Sequence, residues 1–145
     1  MEDLLFNQNA IFLPLLMTLL LGLIVWLVMF AVRFKAIAAA NIQPDQLATP
    51  DMVNQALPGS AQNPANNFKN FFEVPVMFFV LCFYLQATNN VDSLYVNLAW
   101  VFVAFRYIHS AIQCSYNNVN HRFGAYAISC IALWVMLIRA LLGAF

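Results

Sequence analysis

The hydrophobic positions of this chain fall into four long runs, at residues 10–32, 68–87, 94–113 and 123–142. None alternates with period two as a half-buried strand would, and each is long enough for a helix. Ala10 to Val32 carries no charge at all. About 20 apolar residues rising about 1.5 Å each cross the roughly 30 Å of hydrocarbon in a bilayer, so this run predicts a spanning helix. Pro14 lies early in it and predicts a kink. Glu2 and Asp3 stand where a signal peptide would be basic, so the segment is expected to persist as the first helix.

Polar positions mark the connections. Arg33 and Lys35 close the first run, and residues 33–67 read as a loop outside the bilayer, with prolines at 44, 50, 58 and 64. Within it Thr49-Pro50-Asp51 is a helix-start signal and Pro58-Gly59 a stop, which predicts a short helix from Pro50 to Leu57. Pro75 predicts a bend early in the second run, where it frees a backbone carbonyl. Asn89-Asn90 is a turn, and Asp92 or Ser93 caps the third helix. Arg139, near the end of the fourth run, is expected to snorkel to the interface. The expected architecture is all-α, a single integral membrane domain over residues 1–145 with four spans.

Composition agrees. Of 145 residues, 63% are hydrophobic and 8% charged, against about 25% charged in a soluble domain. Net charge is zero, which gives nucleic acid no purchase. Cys82, Cys114 and Cys130 are far apart and show no metal-ligand spacing, so no metal is expected.

The chemistry gathers around the end of the third run. Arg106, His109 and Gln113, with Asn117 beyond them, fall at spacings of three and four and share one helical stripe. An ionisable residue near the centre of a spanning helix costs roughly 2.5–3.5 kcal/mol, less near its ends. It is kept where it has a partner, an aqueous cavity or a ligand. Glu73 in the second run is at a similar depth, and Arg106 is its expected partner. Such a pair either pins two helices or serves a ligand site. His121, Arg122 and Tyr126 follow. By the distribution of basic residues, the 33–67 loop and the segment around Arg122 face the cytoplasm and both termini face away. Arg33, Asn70, Glu73, Arg106, His109 and Arg122 would then gather at one level.

Four elements in order resemble the MAPEG family, the membrane-associated proteins of eicosanoid and glutathione metabolism. They are Arg33-Phe34-Lys35, the NxxExP element Asn70–Pro75, Arg106-Tyr107-Ile108-His109, and Arg122 with Tyr126. Each alone is weak; four at compatible spacing over nearly the whole chain are specific. The resemblance implies a four-helix bundle assembling as a homotrimer, with glutathione between subunits near the cytoplasmic face. It implies that Arg122 lies by the glutathione sulfur as the catalytic residue. It further implies that Asn70, Glu73, His109 and Tyr126 line the tripeptide, that Arg106 supports the site, and that Arg33 reaches in from a neighbour. The implied activity is a glutathione-dependent transferase or peroxidase for lipophilic electrophiles or hydroperoxides. The alternative is a non-enzymatic member binding another anionic or lipid ligand. Two positions leave the family pattern: Asn66, where active members often carry Arg, and Gln113, where several carry Tyr.

Overall fold

The computed structural model describes residues 6–144, and every regular element among them is helical. Glu2 and Asp3 lie outside the described residues. After a 3-10 turn at Gln8–Ile11, the helices are α1 (Phe12–Ala40), α2 (Pro50–Ala56), α3 (Gly59–Phe71), α4 (Val74–Ala87), α5 (Ser93–Cys114) and α6 (Val119–Gly143). A second 3-10 turn, Pro44–Leu47, precedes α2.

α1 extends past Val32, where its apolar run ends. Its 29 residues reach about 43 Å, more than the roughly 30 Å of hydrocarbon, so the turns bearing Arg33 and Lys35 stand beyond the apolar part. The alanines at 38–40 sustain the helix. Asn41 then ends it in the left-handed conformation, φ 50°, while Ile42 N–H donates back to the Ile37 carbonyl, a Schellman closure. Pro14 falls in the first turn, where its missing N–H has no intrahelical partner to lose, so it starts the helix there.

The expected 33–67 loop is therefore shorter than the sequence suggests. It spans 41–58, and α2 within it is capped by Thr49, whose hydroxyl accepts from Met52 N–H at 3.3 Å. The stop at Pro58-Gly59 doubles as the start of α3, which the asparagines and Pro64 disguise as loop. The expected second span is two helices. Pro75 cannot donate to the Phe71 carbonyl, and its ring crowds that turn. The chain breaks at Phe72-Glu73, where Glu73 adopts φ −99°, ψ −103°, and restarts with Pro75 in the first turn of α4.

α5 and α6 pack along each other, α1 lies against α3 and α5, and α3 also meets α5. Small residues make this approach close: Ala99, Ser129 and Ala132 are buried in it, as at helix interfaces in lipid. Phe78 and Phe102 stack at 4.2 Å between centroids. Outward, Leu13, Leu16, Leu20, Leu23 and Leu27 are exposed along α1. An apolar outer face of this extent belongs in lipid. Residues 8–40, 59–87 and 119–143 are long and apolar enough to cross a membrane. α5 is 22 residues long, but its polar stripe keeps it out of that set.

Gly22 shows how tightly α1 meets α3. A Cβ there would lie 2.6 Å from Cζ of Phe71, itself buried and flanked by the rings of Phe72 and Phe79. Gly22→Ala should therefore cost about 1–3 kcal/mol, the usual range for overpacking. Phe71→Leu should recover most of that loss in a thermal melt. An unaltered melt for Gly22→Ala would mean the ring simply turns away.

At the opposite end, Arg139 does not merely snorkel. It forks onto Asp92, Nη1 donating to Oδ1 at 2.8 Å and Nη2 to Oδ2, and its guanidinium lies 4.3 Å from the Tyr95 ring centroid. Asp92 is also the cap of α5, accepting from Tyr95 N–H at 3.0 Å. The hydrogen bond from Arg139 is the main cause that holds the Asp92 carboxyl below its ordinary value of 3.8. A carboxyl depressed on folding stabilises above its unfolded value and loses that contribution as pH falls through the folded one. The protein should therefore lose stability as pH drops below 3.8, and Asp92→Asn should be weaker at neutral pH yet flat across that window. A parallel pH profile for both proteins would exclude this pair as the cause.

Candidate functional site

Three helices converge where α3 ends. From α5 come Arg106, His109, Ser110 and Gln113, all buried, with Arg106 1% and His109 3% exposed. α3 contributes Asn63, Asn67 and Asn70, and α6 contributes Arg122 and Tyr126. The sequence stripe holds through Gln113 but not Asn117. α5 stops at Cys114, and Asn117 sits in the following turn at φ 48°, a left-handed position that Asn tolerates.

The asparagines bind the cluster together. Asn67 Nδ2 donates to the Ser110 carbonyl at 3.4 Å and to Cys114 Sγ at 3.3 Å, and Ser110 Oγ donates to Asn67 Oδ1 at 3.2 Å. Asn70 Nδ2 donates to Gln113 Oε1 at 3.4 Å. Asn117 Nδ2 donates to Asn63 Oδ1 at 3.0 Å, and Arg122 Nη1 donates to Asn117 Oδ1 at 2.6 Å. Sequence reasoning missed Asn63, Asn67 and Ser110 as members. The signal was there: Asn63, Asn67 and Asn70 repeat at four and three, a polar stripe matching that of α5.

Arg106 is not paired with Glu73, as the sequence suggested. The helix break turns Glu73 outward, where it is exposed, and Arg139–Asp92 is the one ion pair among the described residues. Instead Arg106 Nη2 donates to the Asn70 carbonyl at 3.3 Å, a carbonyl near the break that Pro75 imposes. The guanidinium lies 5.7 Å from the Tyr126 ring centroid. Its Nε and Nη1 are buried with no partner among the described residues.

His109 adds the complementary group. Its Nδ1 lies 3.1 Å from the Arg122 carbonyl. A carbonyl only accepts, so Nδ1 carries a proton. Nε2 is buried and without a partner among the described residues, beside Tyr126 at 5.8 Å between centroids; whenever the ring is neutral, Nε2 is its lone-pair acceptor. One stripe of α5 thus offers unmet guanidinium donors and an unmet ring nitrogen within a single turn. Buried polar groups in native proteins are nearly always satisfied, and orphans on this scale need a ligand, ion or water to account for them.

A family model described as the MAPEG family matches residues 11–142. The chain belongs to the MAPEG family. No match was found among curated proteins or solved structures. The MAPEG assignment covers all of the helices that build the cluster.

Within one chain Arg33 lies apart from it. Arg33 lines a separate cleft of about 490 Å³ with Asn66 and Lys69, between the end of α1, α3 and the α2 segment. An apolar groove of about 500 Å³ runs outside the bundle between α4 and α6, along Met77, Val80, Tyr84, Trp134 and Leu137. Among the described residues, no group of His, Cys, Asp and Glu could hold a metal.

Proposed function

We propose that this MAPEG protein is a glutathione-dependent transferase or peroxidase acting on lipophilic electrophiles or hydroperoxides. The observation that carries the reading is Arg106, a buried cation that forms no ion pair among the described residues and whose Nε and Nη1 lack partners there. Glutathione supplies two carboxylates for such a guanidinium. It also supplies N–H groups for the lone pair of His109 Nε2. Asn70 and Tyr126 line the same cluster, and Glu73, turned outward, suits the ammonium at a subunit boundary. In this reading the protein is a homotrimer and the site lies at the cytoplasmic face.

Arg122 is the residue for the sulfur. A fixed cation beside a thiol favours the thiolate, which is the nucleophile. The thiol proton leaves to solvent, since an arginine keeps its own. The thiolate then forms a carbon–sulfur bond as the electrophile's leaving group departs. The groove between α4 and α6 gives an apolar co-substrate a seat open to lipid. Titrating the purified protein with glutathione, and following thiolate absorbance, tests this directly. Saturable thiolate formation is expected, and its absence removes the reading.

A second reading, a MAPEG protein that binds an anionic ligand without turnover, is favoured by Gln113. Where several active members carry a tyrosine, Gln113 is occupied with Asn70. Ligand-dependent stabilisation without turnover of any model electrophile would select it.

The proposed orientation has its own test. Ser60 is exposed at the start of α3. A cysteine substituted for Ser60 should resist an impermeant thiol reagent added outside intact cells and react once the membrane is opened. Labelling in intact cells would invert the topology.

A further inference from the structure

α6 carries one continuous stripe from the polar cluster to the lipid-facing groove. Arg122, Tyr126 and Cys130 follow one another at intervals of four residues. Leu133, Trp134, Leu137 and Leu141, which line the groove against α4, lie three, four, seven and eleven residues beyond Cys130. At about 100° per residue, Tyr126 and these four groove residues all fall within roughly 60° of Cys130 around the helix. Cys130 therefore stands at the junction, with the cluster one turn before it and the groove one turn after.

The surroundings of this thiol are those of a reactive one. Cys130 is free and half-buried, and it packs with Tyr126 against the core. The Arg106 guanidinium lies 5.7 Å from the Tyr126 ring centroid. Its Nε and Nη1 are buried with no partner among the described residues. Of the acidic neighbours of Arg106, Cys130 interacts with it most strongly by charge, ahead of Tyr126 and Glu73. The Tyr126 hydroxyl is within hydrogen-bonding reach of the Cys130 sulfur. The other two thiols differ: Cys82 is fully buried on α4, and Cys114 Sγ is occupied by Asn67 Nδ2.

We propose that Cys130 is the thiol that reduces an apolar hydroperoxide, whose body lies in the groove with its O–O group at the Cys130 sulfur. The proposal rests on the peroxidase branch of the reading above and changes which sulfur reacts first. An S–O bond forms as the O–O bond breaks. The sulfur is oxidised to a sulfenic acid, and the hydroperoxide is reduced to an alcohol whose oxygen takes the thiol proton. The Arg106 cation faces the negative charge that builds on sulfur as that proton leaves. It acts here through its charge, so its free donors remain available to glutathione. Glutathione then attacks the sulfenic sulfur and forms a mixed disulfide, and its thiol proton leaves with the hydroxyl as water. A second glutathione attacks the glutathione sulfur of that disulfide, which yields glutathione disulfide and returns Cys130 as the thiol.

The test treats the full-length protein in detergent with one equivalent of cumene hydroperoxide, without glutathione, and traps sulfenic acid with dimedone. Label on the peptide carrying Cys130, with cumyl alcohol formed in equal amount, is expected. Label on Cys82 or Cys114 instead, or on no cysteine, overturns the proposal. This arm uses the native chain, so no folding defect can imitate its result. Hydrogen peroxide at the same concentration should label Cys130 more slowly, since it has no apolar part to hold in the groove. Equal rates would overturn delivery through the groove. With glutathione present, Cys130→Ser should lower turnover of cumene hydroperoxide by about a hundredfold or more. Wild-type turnover in that variant would show that glutathione's own sulfur meets the peroxide, which overturns this inference and leaves the glutathione reading intact. Cys130 labelled in the absence of glutathione but not restored by it supports the reaction of the thiol and removes glutathione as the reductant.

Discussion

Replacing Arg106 with methionine should make the ligand-free protein more stable and unable to hold glutathione. The two effects have one cause. Arg106 is buried, forms no ion pair among the described residues, and satisfies only Nη2 there, on the Asn70 carbonyl. Removing buried charge in favour of an apolar side chain of similar volume is often neutral or stabilising by about 1–4 kcal/mol. Methionine fills much the same space, tolerates irregular packing and leaves no donor stranded. The lost hydrogen bond works against this by about 1 kcal/mol. On the ligand side, a buried charge pair that loses one partner costs about 2–5 kcal/mol, which is at least about thirtyfold in affinity. Thermal melts with and without glutathione read both effects. Wild type should be raised by glutathione, and Arg106→Met should start higher and not move. A variant that melts lower than wild type in the absence of ligand would instead mark Arg106 as a structural brace for the break before Pro75. Arg106→Lys separates charge from shape. It keeps the cation but cannot fork onto a carboxylate, so affinity should fall part of the way.

The other large effect is expected in turnover. Arg122→Ala should lower kcat by about a hundredfold or more while moving KM for glutathione little, because its proposed partner is the charge on sulfur rather than the body of the tripeptide. The structure adds a graded control. Arg122 is held by Asn117, which is held in turn by Asn63. Asn117→Ala leaves the charge in place but frees its direction, so kcat should fall in the same sense by a smaller factor. The pair of variants discriminates between chemistry and scaffolding. If both lower thermal stability and neither changes kcat with a model electrophile, Arg122 is a link between α3 and α6 and nothing more.

How legible this protein is from its residues depends on the range of the interaction concerned. Long apolar runs are a local property, and they located α1, α5 and α6 and the membrane class. The caps at Thr49 and Asp92 were equally local, a hydroxyl or carboxylate meeting an N–H three residues on. The NxxExP and RxxH elements, Arg122 and Tyr126 named the family, and the family model agrees. Other features were beyond the sequence because they depend on which way a face turns. α3 looks like loop, since asparagine and Pro64 are poor helix formers in isolation. Hydrogen bonds to Ser110, Gln113 and Asn117 sustain it, and those partners are more than 40 residues away. Glu73 and Arg106 have opposite charge and similar depth, yet the break at Phe72-Glu73 rotates the carboxylate outward. Arg139 and Asp92, 47 residues apart, meet because α6 runs back along the whole length of α5. Asn66 and Asn70 are one turn apart and share a face by spacing alone. With α1 packed on one side of α3 and α5 on the other, that small angle is enough to send Asn70 to the α5 cluster and Asn66 to the cleft beside Arg33.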